Sequence, residues 1–202
     1  MILPLFLITV MVISLSGVMM PGPVFAAAVS RAYRSQRAGA LVAVGHGIIE
    51  FPLMGLIYFG FAEFLKLNMV RLTIGIVGGA ILVYMGIGMI RVRALALEEG
   101  GDLPYNSLVA GIVTTGSNPY FFLWWASVGA ALIMKSLTFG LIGLILFAIV
   151  HWLCDLGWYS IVSLTVYRTH HLWNRKLRKA VFNICGLALF GFGIWFMCSA
   201  IV

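Results

Sequence analysis

Residues 3–30 read LPLFLITVMVISLSGVMMPGPVFAAAVS, a long apolar run with Pro21-Gly22-Pro23 well inside it. About 20 helical residues span the hydrocarbon core of a bilayer, so the run is long enough to cross it. Proline removes an amide donor and clashes with the preceding helical turn. No basic residue precedes the run, which argues against a cleaved signal peptide. The stretch therefore predicts a retained membrane-spanning helix that is broken partway.

Five more apolar segments follow this one. The chain is 62% hydrophobic and only 9% charged, whereas soluble domains carry about 25% charged residues. The runs are continuous and do not alternate, which predicts helices. We expect an all-α membrane protein with six transmembrane helices at Leu3 to Ser30, Ala38 to Phe61, Val70 to Ile90, Asn106 to Met134, Phe139 to Leu164 and Lys179 to Ile201.

The basic residues, which give a net charge of +7, lie between the apolar runs. This placement is typical of topology signals and argues against a nucleic-acid partner. The first, third and fifth loops hold Arg31, Arg34, Arg37, Arg91, Arg93, Arg168, Arg175, Lys176, Arg178 and Lys179. The second and fourth hold only Lys66, Arg71 and Lys135. This asymmetry predicts an inner-membrane protein with its odd loops in the cytoplasm and both termini outside.

The pattern of the first three segments recurs in the last three. Ser117-Asn118-Pro119 breaks the fourth segment as Pro21-Gly22-Pro23 breaks the first. His46 is followed four residues later by Glu50, and His151 by Asp155. We predict one transmembrane domain, 1–202, with repeats at 1–93 and 106–202 joined by a cytoplasmic linker at 94–105. Three helices per repeat require the second copy to be inverted, and inverted repeats with broken helices 1 and 4 are typical of secondary transporters.

Glu50 and Asp155 alone, among six acidic residues, lie deep in apolar runs. A charge there costs roughly 2.5 to 3.5 kcal/mol on insertion scales, so such residues usually face a bundle interior and mark a transport path. Spacing of four residues places each acid beside its histidine on one helix face. Three interpretations stay open: binding of a substrate ammonium group with proton exchange, a divalent metal site of His46, Glu50, His151 and Asp155, and hydrogen-bonded pairs that lock helices together.

The breaks suggest where an anionic group would bind. Lipid cannot satisfy the backbone groups that a break frees, so they must face protein or a wet cavity. Half-helices that begin near Pro23 and Pro119 would point their positive ends there, which suits a carboxylate. Asn118 adds a side-chain donor and acceptor. The aromatic residues that follow, including Tyr120, could line a substrate passage, although packing or lipid contact is favoured for most of them.

Together these motifs resemble the LysE/RhtB family of amino-acid exporters over nearly the whole chain. Pro21-Gly22-Pro23 matches its early PGP motif, and Asn118-Pro119 matches its NP motif. Residues 39–45 and 79–86 are similar to the glycine patterns of its second and third helices. Glu50 stands where the family usually has aspartate, Tyr120 where it often has lysine, and His46 is atypical. The resemblance implies outward export of small amphoteric solutes driven by proton exchange.

The sequence thus predicts a transporter without a cofactor, whose partners are an amino acid, protons and the lipid bilayer. Small-residue helix faces also permit a homodimer. The alternative function is export of a divalent metal cation through the two His-x-x-x-acid pairs. We do not expect an enzyme, because the chain has no HExxH motif and no serine or cysteine nucleophile placed with a base.

Overall fold

The computed structural model describes residues 2–20, 22–65, 67–99, 106–172 and 175–201, and every regular element in these ranges is helical. The elements are α1 Leu3–Val18, α2 Pro23–Ala32, α3 Ala38–Tyr58, α4 Ala62–Leu65, α5 Asn68–Glu99, α6 Ser107–Gly116, α7 Pro119–Trp124, α8 Ala130–Ser136, α9 Gly140–Thr169 and α10 Arg175–Ile201. A π-helical turn, Trp125–Gly129, joins α7 to α8.

The first predicted break is confirmed. The axes of α1 and α2 meet at 74°. Pro23 occupies the first turn of α2, where its missing N–H costs nothing and its fixed φ suits a helix start. Gly22, just before it, is extended. Pro21, the first residue of the motif, lies outside the described residues.

The second break is also present, between α6 and α7. Ser117 and Asn118 leave the helical path, and Pro119 restarts it. The side-chain oxygen of Asn118 accepts a hydrogen bond of 3.1 Å from the backbone N–H of Tyr120. This is an N-cap, which satisfies an amide that the break would leave without a partner.

The breaks fall at different places in the two halves. In the first half of the chain, 16 helical residues precede the break and 10 follow it. In the second half, only the 10 residues of α6 precede the break. The two ten-residue pieces, α2 and α6, contact each other. The halves therefore share the break without being superimposable copies.

Two helices extend beyond their predicted ends. Helix α5 continues past Ile90 to Glu99 and so enters the predicted linker, of which residues 100–105 lie outside the described ranges. Residues 90–99 read IRVRALALEE, mostly good helix formers without glycine or proline, so nothing in this stretch stops the helix. Similarly, α9 continues past Leu164 to Thr169.

In the described ranges, four helices are long and apolar enough to cross a membrane, or five if bent α1 and α2 form one span. One of the four is the stretch Pro119–Leu172 taken as a unit. Within it, the rings of Trp125 and His151 lie 5.1 Å apart, whereas a straight helix would separate them by roughly 39 Å. The chain therefore reverses direction inside this stretch, at Gly140, whose φ of 71° suits glycine.

Helices α5 and α10 pack along each other through glycines. An ideal Cβ on Gly79 would lie 2.6 Å from the carbonyl oxygen of Gly193, and one on Gly193 would lie 2.5 Å from that of Gly79. Gly86 and Gly186 face each other in the same way. These four glycines thus allow the two helices to approach closely, whereas Gly191 has open space around it.

The remaining helices enclose the centre of the protein. Helix α3 packs against both α6 and α9, and α1 packs against α9. Each half therefore contributes a broken helix that contacts the histidine-bearing helix of the other half. This arrangement brings His46 on α3 and His151 on α9 to a common interior.

We predict that Gly193→Ala destabilises the protein, because the added methyl group meets a backbone oxygen. Overpacking of this kind costs about 1–3 kcal/mol. Thermal unfolding in detergent, followed by size-exclusion chromatography, would show a lower midpoint. Gly191→Ala on the same helix is the matched control and should leave the midpoint unchanged or raise it, since alanine favours helix. Equal midpoints for the two variants would contradict this packing.

Candidate functional site

Glu50 is the centre of a buried polar cluster. Its Oε1 atom lies 3.1 Å from Nε2 of His46 and 3.1 Å from Nε2 of His151. The carboxylate is only 1% exposed. His46 is one helical turn away on α3, whereas His151 comes from α9. One carboxylate oxygen therefore bridges two histidines from the two halves of the chain.

Two hydroxyl groups form hydrogen bonds with the Nδ1 atoms of the histidines, on the side of each ring away from Glu50. Ser14 Oγ on α1 lies 2.7 Å from Nδ1 of His151, and Thr115 Oγ1 on α6 lies 2.8 Å from Nδ1 of His46. A hydroxyl can donate to a neutral ring nitrogen or accept from a protonated one. Each histidine can therefore gain or lose a proton while both of its nitrogens keep hydrogen-bond partners.

Asp155 completes the cluster at greater distance. Its Oδ2 atom lies 3.7 Å from Nε2 of His151, beyond hydrogen-bond range. The sequence predicted two separate pairs, His46 with Glu50 and His151 with Asp155. The structure confirms the first pair and keeps His151 within ion-pair distance of Asp155, but the hydrogen bond of Nε2 of His151 is made with Glu50. The two predicted pairs are thus one shared cluster, with Asp155 at its edge.

Two carboxylate oxygens in this cluster lack a hydrogen-bond partner among the described residues. They are Glu50 Oε2 and Asp155 Oδ2, and both are buried. A buried acceptor without a partner costs about 1–3 kcal/mol, more when it is charged. These atoms are therefore the natural binding points for a proton, a water molecule or a cationic ligand.

The cluster opens into a cavity of about 170 Å³, large enough for several waters or a small solute. All four ionisable side chains line it, and so do residues flanking both breaks: Met20, Gly22, Pro23, Asn118 and Tyr120. In the described residues, positions at both breaks and the two acids therefore line one space. Pro119 does not line this cavity but borders a neighbouring one.

Aromatic rings form most of the cavity wall around the histidines. Trp124 stacks on His151 with ring centroids 5.4 Å apart, and Trp125 meets the same ring edge-on. Phe121 meets His46 at 5.2 Å. These rings present π faces that attract cations. Phe121 and Trp125 also belong to the hydrophobic core and Trp124 packs against it, so the favoured packing role applies to all three, and their lining of the cavity leaves the passage role a prediction.

Tyr120 and Asn118 are more remote from the acids. The hydroxyl of Tyr120 donates to the sulfur of Met20 at 3.7 Å and so links the two breaks. The side-chain oxygen of Asn118 is engaged by the N-cap of α7. These residues shape the mouth of the cavity and do not contact the carboxylates.

Sequence reasoning missed Ser14 and Thr115, the two hydroxyls that orient the histidines. Each is a single small polar residue in an apolar helix, where bonding to the backbone of its own helix is common. The chain contains many such residues, including Ser127 and Thr73, which do make that local bond. The sequence held no signal that would separate the two groups.

We predict that Ser14→Ala and Thr115→Val each lower stability by about 1–3 kcal/mol, because a buried Nδ1 loses its partner. Thermal unfolding in detergent would measure the loss. Ser127→Ala and Thr73→Val remove hydroxyls that bond only their own helices and serve as controls. If all four variants unfolded alike, the role assigned to Ser14 and Thr115 would be wrong.

Comparison with known proteins now adds independent evidence. No curated protein and no solved structure matches the chain. The family model of the LysE type translocator matches residues 15–200, which include both breaks, the four ionisable residues of the cluster and every residue of the described cavity lining except Ser14. The chain therefore belongs to the LysE type translocator family and is a multi-pass membrane protein of a transporter family.

Proposed function

We propose that this protein exports amino acids or similar small amphoteric solutes across the inner membrane by proton antiport and alternating access. The observation that carries the proposal is the carboxylate of Glu50, buried beside a cavity and bridging histidines from both halves of the chain. Membership in a translocator family supports export as the activity. The proposal involves no catalytic step and no cofactor.

The proposed transmembrane topology has six spans in two inverted repeats. It rests on the chain reversal at Gly140, on the bent pair α1 and α2 counted as one span, and on α6 and α7 counted as another. Cross-packing between the halves, α1 on α9 and α6 on α3, supports a two-fold relation between them. The distribution of basic residues among the loops supports a topology with both termini outside.

The cluster offers a physical route to coupling. The free oxygens of Glu50 and Asp155 can each accept either a proton or the N–H groups of a substrate ammonium. Ammonium and proton therefore compete for the same carboxylates, so binding of one favours release of the other. The hydroxyls of Ser14 and Thr115 allow the histidines to pass protons without losing hydrogen bonds. This competition is the basis of antiport.

The solute carboxylate would bind at the opposite side of the same cavity. Gly22 and Pro23 line the cavity and form the start of α2. The first N–H groups of a helix have no intrahelical acceptor and carry partial positive charge. An amphoteric solute could thus bridge the acids and the start of α2, with its carbon chain against Trp124 and Phe121.

We predict that Glu50→Gln and Asp155→Asn each lower the rate of proton-coupled export by at least about tenfold, because the side-chain amides of Gln and Asn, unlike a carboxylate, do not take up and release a proton. Labelled amino acids, counted in reconstituted vesicles under an imposed pH gradient, provide the measurement. Glu63→Gln, the same change at an exposed acid in α4, is the matched control. Wild-type proton-coupled flux in both site variants would refute the mechanism.

Export of a divalent cation is the second candidate. One ligand atom each from His46, Glu50 and Asp155 lies within 4.8 Å of the others, close enough for a single ion to reach all three. Imidazole and carboxylate together suit zinc or manganese. In this case the metal ion is the cargo, and the buried free oxygens of Glu50 and Asp155 would coordinate it.

The metal hypothesis predicts that zinc or manganese raises the unfolding temperature of purified protein and that His46→Ala and His151→Ala remove the effect. Isothermal titration calorimetry checks the binding directly. His170→Ala, which changes a histidine beyond the end of α9, is the control. Absence of both bound metal and metal-dependent stabilisation in the wild type would eliminate this candidate.

A further inference from the structure

A second cavity, of about 200 Å³, lies beside the first. We call it the outer cavity, because the basic-loop topology proposed above places the start of α5 and the end of α10 outside. Its lining includes Arg71 near the start of α5 and Ser199 near the end of α10. The cavity is distinct from the histidine–carboxylate cluster, none of whose members borders it.

Three aromatic residues separate the two cavities. Tyr120, Trp195 and Phe196 line both of them. Along α10, Phe192 borders the first cavity alone, whereas Ser199 and Ala200 border the outer cavity alone. The two spaces therefore follow one another along this helix, about one helical turn apart. A solute leaving the cluster toward the outside would meet the aromatic partition and then the outer cavity.

The two cavities differ in their ionisable residues. The described lining of the first contains His46, His151 and the carboxylates of Glu50 and Asp155, each with a buried oxygen that lacks a hydrogen-bond partner, but no lysine or arginine. The described lining of the outer cavity contains Arg71 but no acid. Arginine binds a carboxylate through two parallel N–H donors, which makes it a strong partner for that group. The first cavity therefore suits an ammonium group, and the outer cavity suits a carboxylate.

We propose that the outer cavity is a binding site for the carboxylate group of the exported solute, with Arg71 as its cationic partner. The inference rests on the proposed export of amphoteric solutes. The carboxylate of the solute would leave the start of α2 and bind Arg71 as the solute passes Tyr120, Trp195 and Phe196. The hydroxyl group of Tyr120 lies at this partition and bonds Met20 at the first break, so opening of the partition is linked to movement of the broken helices.

The test compares export of an amino acid with export of its amide, which keeps the ammonium group but lacks the carboxylate. Twenty labelled amino acids are first screened in reconstituted vesicles, and the amide of the fastest one is then used. Arg71→Gln should raise the apparent KM for the amino acid about tenfold or more and leave that for the amide within about twofold. Arg71→Lys should raise the KM for the amino acid less than Arg71→Gln does, because lysine keeps the charge but lacks the paired N–H donors of arginine.

Lys135→Gln is the matched control, since it removes a charge from the end of α8, away from the outer cavity. It should change neither KM. An equal rise in the KM for the amino acid and for the amide in Arg71→Gln would overturn the proposal. A wild-type KM for both compounds in this variant would overturn it as well. If the wild-type protein exports no amino acid at all, the proposed function fails and this site assignment falls with it. If export persists while Arg71→Gln has no effect, only the site assignment fails.

Discussion

The bridging of Glu50 between two histidines is the interaction on which the rest of the structure depends. A carboxylate held away from water is costly unless it is hydrogen-bonded, and here one oxygen is bonded to His46 and His151. Those histidines are fixed in turn by Thr115 and Ser14. Four helices, α1, α3, α6 and α9, must therefore meet at one point, and both halves of the chain supply them.

The helix breaks and glycine contacts make this meeting possible. Pro23 begins a new helix at the first cavity and Pro119 begins one at the neighbouring cavity, so both restarts lie against cavities inside the protein. Gly45 on α3 and Gly111 on α6 have no side chain, and each leaves room for the backbone of the other helix. Close packing brings His46 within reach of Thr115. The aromatic rings around the histidines make their surroundings less polar than water, which strengthens the electrostatic interactions there.

Much of this architecture could be predicted from the sequence because bilayer thickness and proline chemistry act locally. The apolar runs, both breaks and the unusual depth of Glu50 and Asp155 follow from such rules. The partner of His151 could not be predicted, because i, i+4 spacing favours Asp155 while the packing of α9 on α3 selects Glu50. The offset of the two breaks and the partition by Trp195 and Phe196 likewise depend on how helices from distant parts of the chain pack.

The central claim is that Glu50 changes its protonation when solute binds. Infrared difference spectroscopy tests it most directly, on reconstituted protein before and after addition of the amino acid that it exports. We expect a change in the carboxylic acid C=O band that is absent in Glu50→Gln and present in Glu63→Gln. A solute-induced spectrum without any carboxyl change, or with one that persists in Glu50→Gln, would contradict it.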